Sequence, residues 1–264
     1  MRITLLGDSA LTVHVGSEYA TDSEAALREV AEMLGLLNEA RLPGVLEITP
    51  AFDTLGVFYD PVRIAEAGAP EEDIAGWLRE KITALSKTAA QTKELAETRV
   101  IEIPVCYEKE FALDLAVVAQ HTGLSQEEVI AAHAAASYRI ACIGFVPGFP
   151  FLAGLPAALA TPRLPTPRTA VPAGSVAIGG AQTGIYPQSS PGGWNIIGRT
   201  PCRLFAADRV PPSLLATGDQ VRFRSITRSE FEALAVAAVC DPRSAESSQM
   251  SPGESAVIDR RYRE

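Results

Sequence analysis

The feature of this sequence that most constrains its fold is the concentration of glycine and proline between residues 144 and 218. This window of 75 residues holds 11 of the 20 glycines and 12 of the 19 prolines. Both residue types favour turns and break helices. Short β-prone runs lie within and just after the window, at Ser175–Ile178, Trp194–Gly198 and Val221–Ile226. The pattern predicts a β-barrel or β-sandwich with long, structured loops.

The first 90 residues show a different pattern, in which pairs of strands alternate with helices. Two strand-like runs precede a helix over residues 21–42, which we expect to start at a capping box formed by Thr21 and Glu24. Two further strand-like runs precede a second helix over residues 70–87. This order predicts a small α/β domain with helices on one face of an antiparallel sheet.

Together the two patterns predict an α+β fold in two domains. Residues 1–90 are expected to form the small α/β domain and residues 99–240 the β-barrel domain. A polar stretch over residues 86–98 is interpreted as a linker between them. Residues 241–264 are polar and lack apolar periodicity, which predicts a flexible tail.

Composition excludes several classes of protein. Hydrophobic residues make up 47% of the chain and charged residues 21%, which is typical of a globular protein rather than a disordered one. A net charge of −9 argues against binding nucleic acid through its phosphates. No apolar run reaches the roughly 18 residues of a membrane span, and the N-terminus lacks the pattern of a signal peptide. We therefore expect a cytoplasmic protein that does not bind membranes.

The cysteines and histidines show no metal-binding spacing. The four cysteines include no Cys-x-x-Cys pair, so we expect reduced, mostly buried thiols and no metal site. Of the three histidines, only His133 lies close in sequence to the glycine- and proline-rich window. It is the candidate catalytic residue, because imidazole can act as a general base near neutral pH. The alternative is that it only interacts with the negative end of its helix.

The arginines in the barrel region have no neighbouring acidic residues in sequence. Between residues 140 and 207 the only charged residues are Arg163, Arg168, Arg199 and Arg203. The guanidinium group is suited to carboxylate and phosphate, so this pattern predicts a pocket for a small anionic molecule. The alternative is that the arginines pair with carboxylates elsewhere in the chain, or with backbone carbonyl groups.

Aromatic and neutral polar residues in the same region complete the candidate substrate site. Phe145 and Phe149 lie in a glycine- and proline-rich loop, where they form either a pocket wall or a plug at the open end of the barrel. Neutral hydrogen-bonding groups at predicted loop tips suit a small polar ligand. The substrate-binding candidates are Arg163, Arg168, Arg199, Phe145, Phe149, Gln182, Thr183, Tyr186, Ser190 and Trp194.

These segments, in their order, resemble the 5-oxoprolinase B-subunit family, also called allophanate hydrolase subunit 1 or Kip-type kinase inhibitor. The resemblance is carried by the motif from Gly144 to Leu155, by Thr166-Pro167-Arg168, by Val171–Val176, by Gln182–Pro187 and by Ser190–Pro201. It covers about residues 3–230. The sequence Phe111-Ala112-Leu113-Asp114-Leu115 departs from the family's usual Phe-Gly-Pro-Asp-Leu, and Phe151 replaces a common tyrosine.

The resemblance implies a small α/β domain followed by a cyclophilin-like β-barrel, in a chain that works with other subunits. The implied partners are a second cyclophilin-like subunit, of the Kip-type antagonist kind, plus a lactam-utilisation subunit of a different fold. The implied assembly couples ATP hydrolysis to the opening of 5-oxoproline to L-glutamate. An arginine would hold the carboxylate of 5-oxoproline, and Gln182 or Thr183 would contact its lactam.

No cofactor is evident in this chain, and it has no phosphate-binding motif, so we expect it to be inactive alone while the assembled complex consumes ATP. Two other functions stay open through the same resemblance. One is a regulatory inhibitor of a histidine kinase. The other is the carboxyltransferase component of a biotin-dependent urea carboxylase or allophanate system, which would use biotin delivered by another chain.

Overall fold

The computed structural model of the chain describes residues 1–88 and 99–236. Its N-terminal unit contains two β-hairpins and the helices that cover them. The strands are β1 (Arg2–Leu5), β2 (Ala10–His14), β3 (Val45–Ala51) and β4 (Thr54–Tyr59), and the helices are α1 (Ser23–Ala40), α2 (Pro61–Glu66) and α3 (Ile74–Thr88). The sheet has the order β1-β2-β4-β3, with every pair antiparallel. Alternate residues such as Leu11, Val13, Leu55 and Val57 are buried in a cluster with Val30 and Ile82 from the helices.

The start of α1 differs from the predicted capping box. Asp22, not Thr21, caps the helix, because its carboxylate accepts a hydrogen bond of 2.9 Å from the Ala25 amide. The Thr21 hydroxyl instead donates to the Glu18 carbonyl oxygen. The short helix α2 was not predicted. It starts at an Asp60 cap followed by Pro61, a combination that favours the first turn of a helix.

The second unit is a closed β-barrel, as the glycine and proline pattern predicts. Its elements are β5 (Val100–Cys106), α4 (Leu115–Thr122), α5 (Gln126–Ala135), β6 (Ser137–Ile143), β7 (Pro150–Ala153), β8 (Arg168–Val171), β9 (Ser175–Gly179), β10 (Gln182–Ile185), β11 (Ser190–Gly192), β12 (Asn195–Arg199), β13 (Gln220–Ile226) and α6 (Arg228–Val236). Seven strands pair in the order β6-β13-β5-β12-β9-β10-β7, and β7 pairs again with β6 to close the barrel. Only β5 and β13 are parallel within this ring. The predicted α+β fold is confirmed.

The barrel interior and one outer face are both apolar. Ile103, Ile140 and Ile178 contribute to the interior, together with residues of α4 and α5. Strands β8 and β11 form a separate ribbon outside the ring. The predicted capping box at Ser125 and Glu128 is present at the start of α5.

The N-terminal sheet continues into the barrel. Ala51 of β3 pairs with Cys142 of β6, and the Phe52 amide donates a hydrogen bond of 2.9 Å to the Ala141 carbonyl oxygen. The domain boundaries stay predictions, because most of the proposed linker and the whole predicted tail lie outside the described residues. Within the described residues, no helix is long and apolar enough to cross a membrane.

Candidate functional site

An aromatic cluster covers the outer face of the barrel. Ala177 and Ile196 alternate along their strands with interior residues, so they face outwards, and the rings of Phe149, Tyr186 and Trp194 pack on them. The Phe149 ring centroid lies 5.1 Å from that of Tyr186 and 5.7 Å from that of Trp194, with edge-on geometry in both pairs. These three side chains are almost fully buried.

Two glycines of the strands make room for these rings. A Cβ atom at Gly179 would lie 2.5 Å from the Trp194 indole, and one at Gly184 would lie 2.8 Å from the Pro150 carbonyl oxygen. Any side chain at either position would push the indole or the neighbouring strand away. The glycines in this part of the sequence therefore serve close packing as well as turns.

The predicted pocket wall formed by two phenylalanines is divided by the loop between β6 and β7. Phe149 is buried in the cluster, whereas Phe145 is 66% exposed and has a positive φ of 68°. The two rings meet edge-on at 5.7 Å. Gly148 anchors the loop, because a Cβ atom there would lie 2.8 Å from Cβ of Phe205. Phe145 thus projects from a packed loop at the surface.

The arginines do not converge on one pocket. Arg168 forms an ion pair of 2.7 Å with Asp114, and the Arg199 Nε donates a hydrogen bond of 2.9 Å to the Ala173 carbonyl oxygen. Arg203 lies 3.9 Å from the exposed Asp208. For these three, the structure shows the alternative pattern, pairing with carboxylates and carbonyl groups. Their part in substrate binding stays a prediction.

Arg163 and Arg168 lie on either side of the buried aromatic rings. The Arg163 guanidinium lies over the Trp194 ring at 5.6 Å, a cation–π arrangement. Burial raises the pKa of Tyr186, while the Trp194 backbone amide and the charges of Arg163 and Arg168 act in the opposite direction. We call Arg163, Arg168, Tyr186, Ser190 and Trp194 the aromatic corner.

Two polar atoms of the aromatic corner are buried without a partner among the described residues. They are Nη1 of Arg168 and Oγ of Ser190. Both residues belong to the β8–β11 ribbon. The other side of Arg168 is fixed, because Asp114 also accepts a hydrogen bond of 2.7 Å from the Ile196 amide. The corner therefore presents unsatisfied hydrogen-bonding groups in an oriented arrangement.

His133 and Thr183 lie in the barrel core and not in the aromatic corner. Thr183 donates to the Ala177 carbonyl oxygen, so its hydroxyl oxygen accepts the hydrogen bond of 3.0 Å from His133 Nε2. The Tyr107 hydroxyl then donates to His133 Nδ1 at 2.9 Å. Burial lowers the pKa of His133 to about 3. A neutral, fully buried imidazole with both nitrogens engaged argues against the predicted general base, and its catalytic role stays a prediction.

Gln182 connects the barrel to the N-terminal unit by a hydrogen bond to the Tyr19 side chain. Tyr19 also packs edge-on against Phe52 at 5.0 Å, and Phe52 against Phe151 at 6.1 Å. Phe151 in turn lies 5.9 Å from Trp194. Sequence reasoning missed this aromatic path between the units, because its members lie far apart in the chain.

Sequence reasoning also missed a cleft of about 220 Å³ where α1 meets the barrel. None of the predicted site residues lines it. The lining residues are Ser23, Glu24, Ser137, Tyr138, Arg139, Ala153, Gly154 and Gln220. The one signal in the sequence was Gly154, which ends the loop motif and has a positive φ of 95°.

The cysteines correct one expectation. Cys106 and Cys142 are free, but Cys202 is disulfide-bonded, so the prediction of a reduced thiol is wrong there. Burial raises the pKa of both Cys106 and Cys142, which keeps them protonated near neutral pH. Among residues 1–88 and 99–236, no group of histidine, cysteine and acidic side chains could hold a metal ion.

Comparison with known proteins places the chain in a family. A family profile described as "Carboxyltransferase domain, subdomain C and D" matches residues 1–215. The chain belongs to this family. A curated relative from Bacillus subtilis (strain 168), named as the B subunit of 5-oxoprolinase, is 39% identical over 237 residues, which is 88% of this chain and 95% of the relative.

Solved structures related to this carboxyltransferase family extend the comparison. The protein TTHA0988 is 39% identical with a TM-score of 0.68, and the match covers 82% of this chain and 40% of TTHA0988. Urea amidolyase of K. lactis has a TM-score of 0.71 over 91% of this chain and 15% of that enzyme. At 18% identity, this second match shows a common fold alone.

Proposed function

We propose that this chain is one of the subunits of an ATP-dependent 5-oxoprolinase, which opens the lactam of 5-oxoproline to give L-glutamate together with partner subunits. The observation that carries the proposal is the similarity to the Bacillus subtilis 5-oxoprolinase protein, which extends over 95% of that relative. The proposed partners are a second cyclophilin-like subunit plus a lactam-utilisation subunit.

The aromatic corner is the part of this chain that we propose to contact the reacting molecule. Arg163 is exposed and has no ion pair among the described residues, and the Trp194 ring holds its guanidinium at the surface. Arg168 is oriented by Asp114 and has one buried nitrogen without a partner. A carboxylate is the group that such guanidinium donors bind best. Because the corner is packed closely, we expect a partner protein to complete the site above it.

The experiment that tests the proposal measures glutamate release from 5-oxoproline and ATP. Purified chain alone, the candidate partners alone, and all three together are compared. We expect release only when this chain and its partners are combined, because the chain has no phosphate-binding motif of its own. Equal release by the partners without this chain would contradict the proposal.

A second candidate function is the carboxyltransferase component of a biotin-dependent urea carboxylase system. The description of the matching family, "Carboxyltransferase domain, subdomain C and D", favours it. The discriminating measurement is urea-dependent ATP consumption with a biotin carboxylase and its biotinylated carrier. Stimulation by this chain there, and no stimulation of glutamate release, would favour the second candidate. The kinase-inhibitor alternative stays a prediction from the sequence.

A further inference from the structure

The cleft between α1 and the barrel has the size and polarity of a small-molecule site. Its volume of about 220 Å³ would hold about seven waters at roughly 30 Å³ each, or one molecule the size of an amino acid. Both units contribute to it, with Ser23 and Glu24 from α1 and Ser137, Arg139 and Gln220 from the barrel strands.

Arg139 is the cationic group of this cleft, and its present partners hold it weakly. One of its nitrogens lies 3.3 Å from the Glu24 carboxylate, and another lies 3.5 Å from the Gly218 carbonyl oxygen. A guanidinium has five N–H donors, so most of its donor capacity has no partner among the described residues. The Glu24 side chain is 70% exposed, whereas that of Arg139 is only 27% exposed.

An exposed carboxylate of this kind is easily displaced. Ion pairs with an exposed partner contribute between about 0 and 1 kcal/mol, because water solvates the separated charges nearly as well. A ligand carboxylate that accepts two parallel hydrogen bonds from the guanidinium would interact more strongly than Glu24 does. Glu24 therefore occupies the position of a competitor that a ligand can replace.

Neutral groups line the rest of the cleft. Gln220 donates a hydrogen bond of 2.6 Å to the Ser137 hydroxyl oxygen, which leaves the Ser137 proton and the Gln220 carbonyl oxygen available to a ligand. Gly154 brings its strand close to this pair, because a Cβ atom there would lie 2.7 Å from the Ser137 carbonyl oxygen. A donor and an acceptor side by side match the carbonyl and N–H of an amide.

We propose that this cleft binds a small monocarboxylate that carries a neutral amide, with the carboxylate on Arg139 in place of Glu24 and the amide on Ser137 and Gln220. The site is separate from the aromatic corner, and both units of the chain form it. The proposal rests on the proposed function only for the choice of 5-oxoproline as the probe.

The test measures binding of 5-oxoproline to the isolated full chain by titration calorimetry or ligand-observed NMR, without ATP or partners. Pyrrolidin-2-one, the same lactam without the carboxylate, is the comparison ligand. We expect 5-oxoproline to bind and pyrrolidin-2-one to bind at least about 10-fold more weakly, since a hydrogen bond to a charged group is lost. No binding of 5-oxoproline, or equal binding of both ligands, would overturn the proposal.

Two variants and two matched controls locate the binding. Arg139→Gln should weaken 5-oxoproline binding about 10- to 100-fold, because the charged partner is removed. Glu24→Gln should tighten it up to about fivefold, because the competing carboxylate is removed. Arg28→Gln and Glu32→Gln change another ion pair of α1, 3.9 Å apart and outside the cleft, and should leave binding unchanged.

The Glu24→Gln variant keeps the proposal open to disproof if Arg139→Gln fails to fold, since Glu24 is exposed. Unchanged or weaker binding by Glu24→Gln would overturn the assignment. Binding that depends on Arg163 instead would also overturn it, because that residue belongs to the aromatic corner. Failure of the glutamate-release assay with binding intact would contradict the proposed function and leave the cleft assignment standing.

Discussion

The hydroxyl groups of Tyr107 and Thr183 hold the His133 ring in one tautomer inside the barrel. Phe223 stacks on that ring with centroids 4.7 Å apart, and the Tyr138 hydroxyl donates to the backbone carbonyl oxygen of the same histidine at 2.8 Å. A charged imidazole would disturb every one of these contacts. The side chain therefore depends on staying neutral, and the fold depends on pH through it.

The first prediction concerns this dependence on pH. The folded-state pKa of about 3 lies below the ordinary value of 6.5, so the stabilising contribution is complete above pH 6.5 and is lost as the pH falls towards 3. From pH 6.5 to 5 we expect the free energy of unfolding to fall by about 1.5 kcal/mol through His133 alone. Urea denaturation at a series of pH values measures it.

The matched variants for this prediction are His133→Gln and His121→Gln. Without the buried imidazole, the fall between pH 6.5 and 5 should shrink. With the exposed His121 replaced, it should stay as in the unaltered chain. An equal slope for all three proteins would show that His133 does not remain neutral in the core.

A second prediction at this scale concerns the ion pair between Arg168 and Asp114. Because the Asp114 side chain is only 6% exposed, removing its partner leaves a poorly solvated charge. A double-mutant cycle with Arg168→Gln and Asp114→Asn should give a coupling of about 1–2 kcal/mol in the free energy of unfolding.

The exposed pair of Arg203 and Asp208 is the control for that cycle. Its side chains are 70% and 81% exposed, so its coupling should be below about 0.5 kcal/mol. A similar coupling in both cycles would mean that burial does not strengthen the Arg168 pair.

At the scale of elements, the glycine- and proline-rich window forms strands whose glycines permit close contact. Local sequence predicted several of these elements well, because turn residues and capping boxes act over a few positions. The string Thr21-Asp22-Ser23-Glu24 offered two possible caps, and the one used by the chain was not distinguishable by residue type. Nothing local could indicate that Gly179 lies under Trp194, since that contact requires the folded barrel.

The third prediction tests that contact. Gly179→Ala should lower the free energy of unfolding by about 1–3 kcal/mol, because the added methyl group meets the indole ring. Gly35→Ala is the matched control within α1, where a Cβ atom would meet no atom within 4 Å. That substitution should raise the stability by about 0.5–1 kcal/mol through helix propensity. Chemical denaturation measures both, and a neutral Gly179→Ala would contradict the packing described here.

At the scale of the whole molecule, the two units share one sheet of 11 strands. The fold class followed from composition and periodicity, but the pairing of β3 with β6 joins residues about 90 positions apart and has no local signal. The same limit applies to the site. Residue types indicated the aromatic corner, whereas the partners of Arg168 and the cleft around Arg139 arise only when distant strands meet.

The proposed function belongs to this scale, because it requires surfaces of the assembled complex. The measurement that tests it most directly is a titration of this chain into fixed amounts of the two proposed partners, with 5-oxoproline and ATP, while glutamate and ADP are followed together. We predict that both products rise from near zero, stay in a constant ratio and saturate once the chain matches its partners. Release of glutamate that is already maximal before the chain is added, or that never responds to it, would contradict the account.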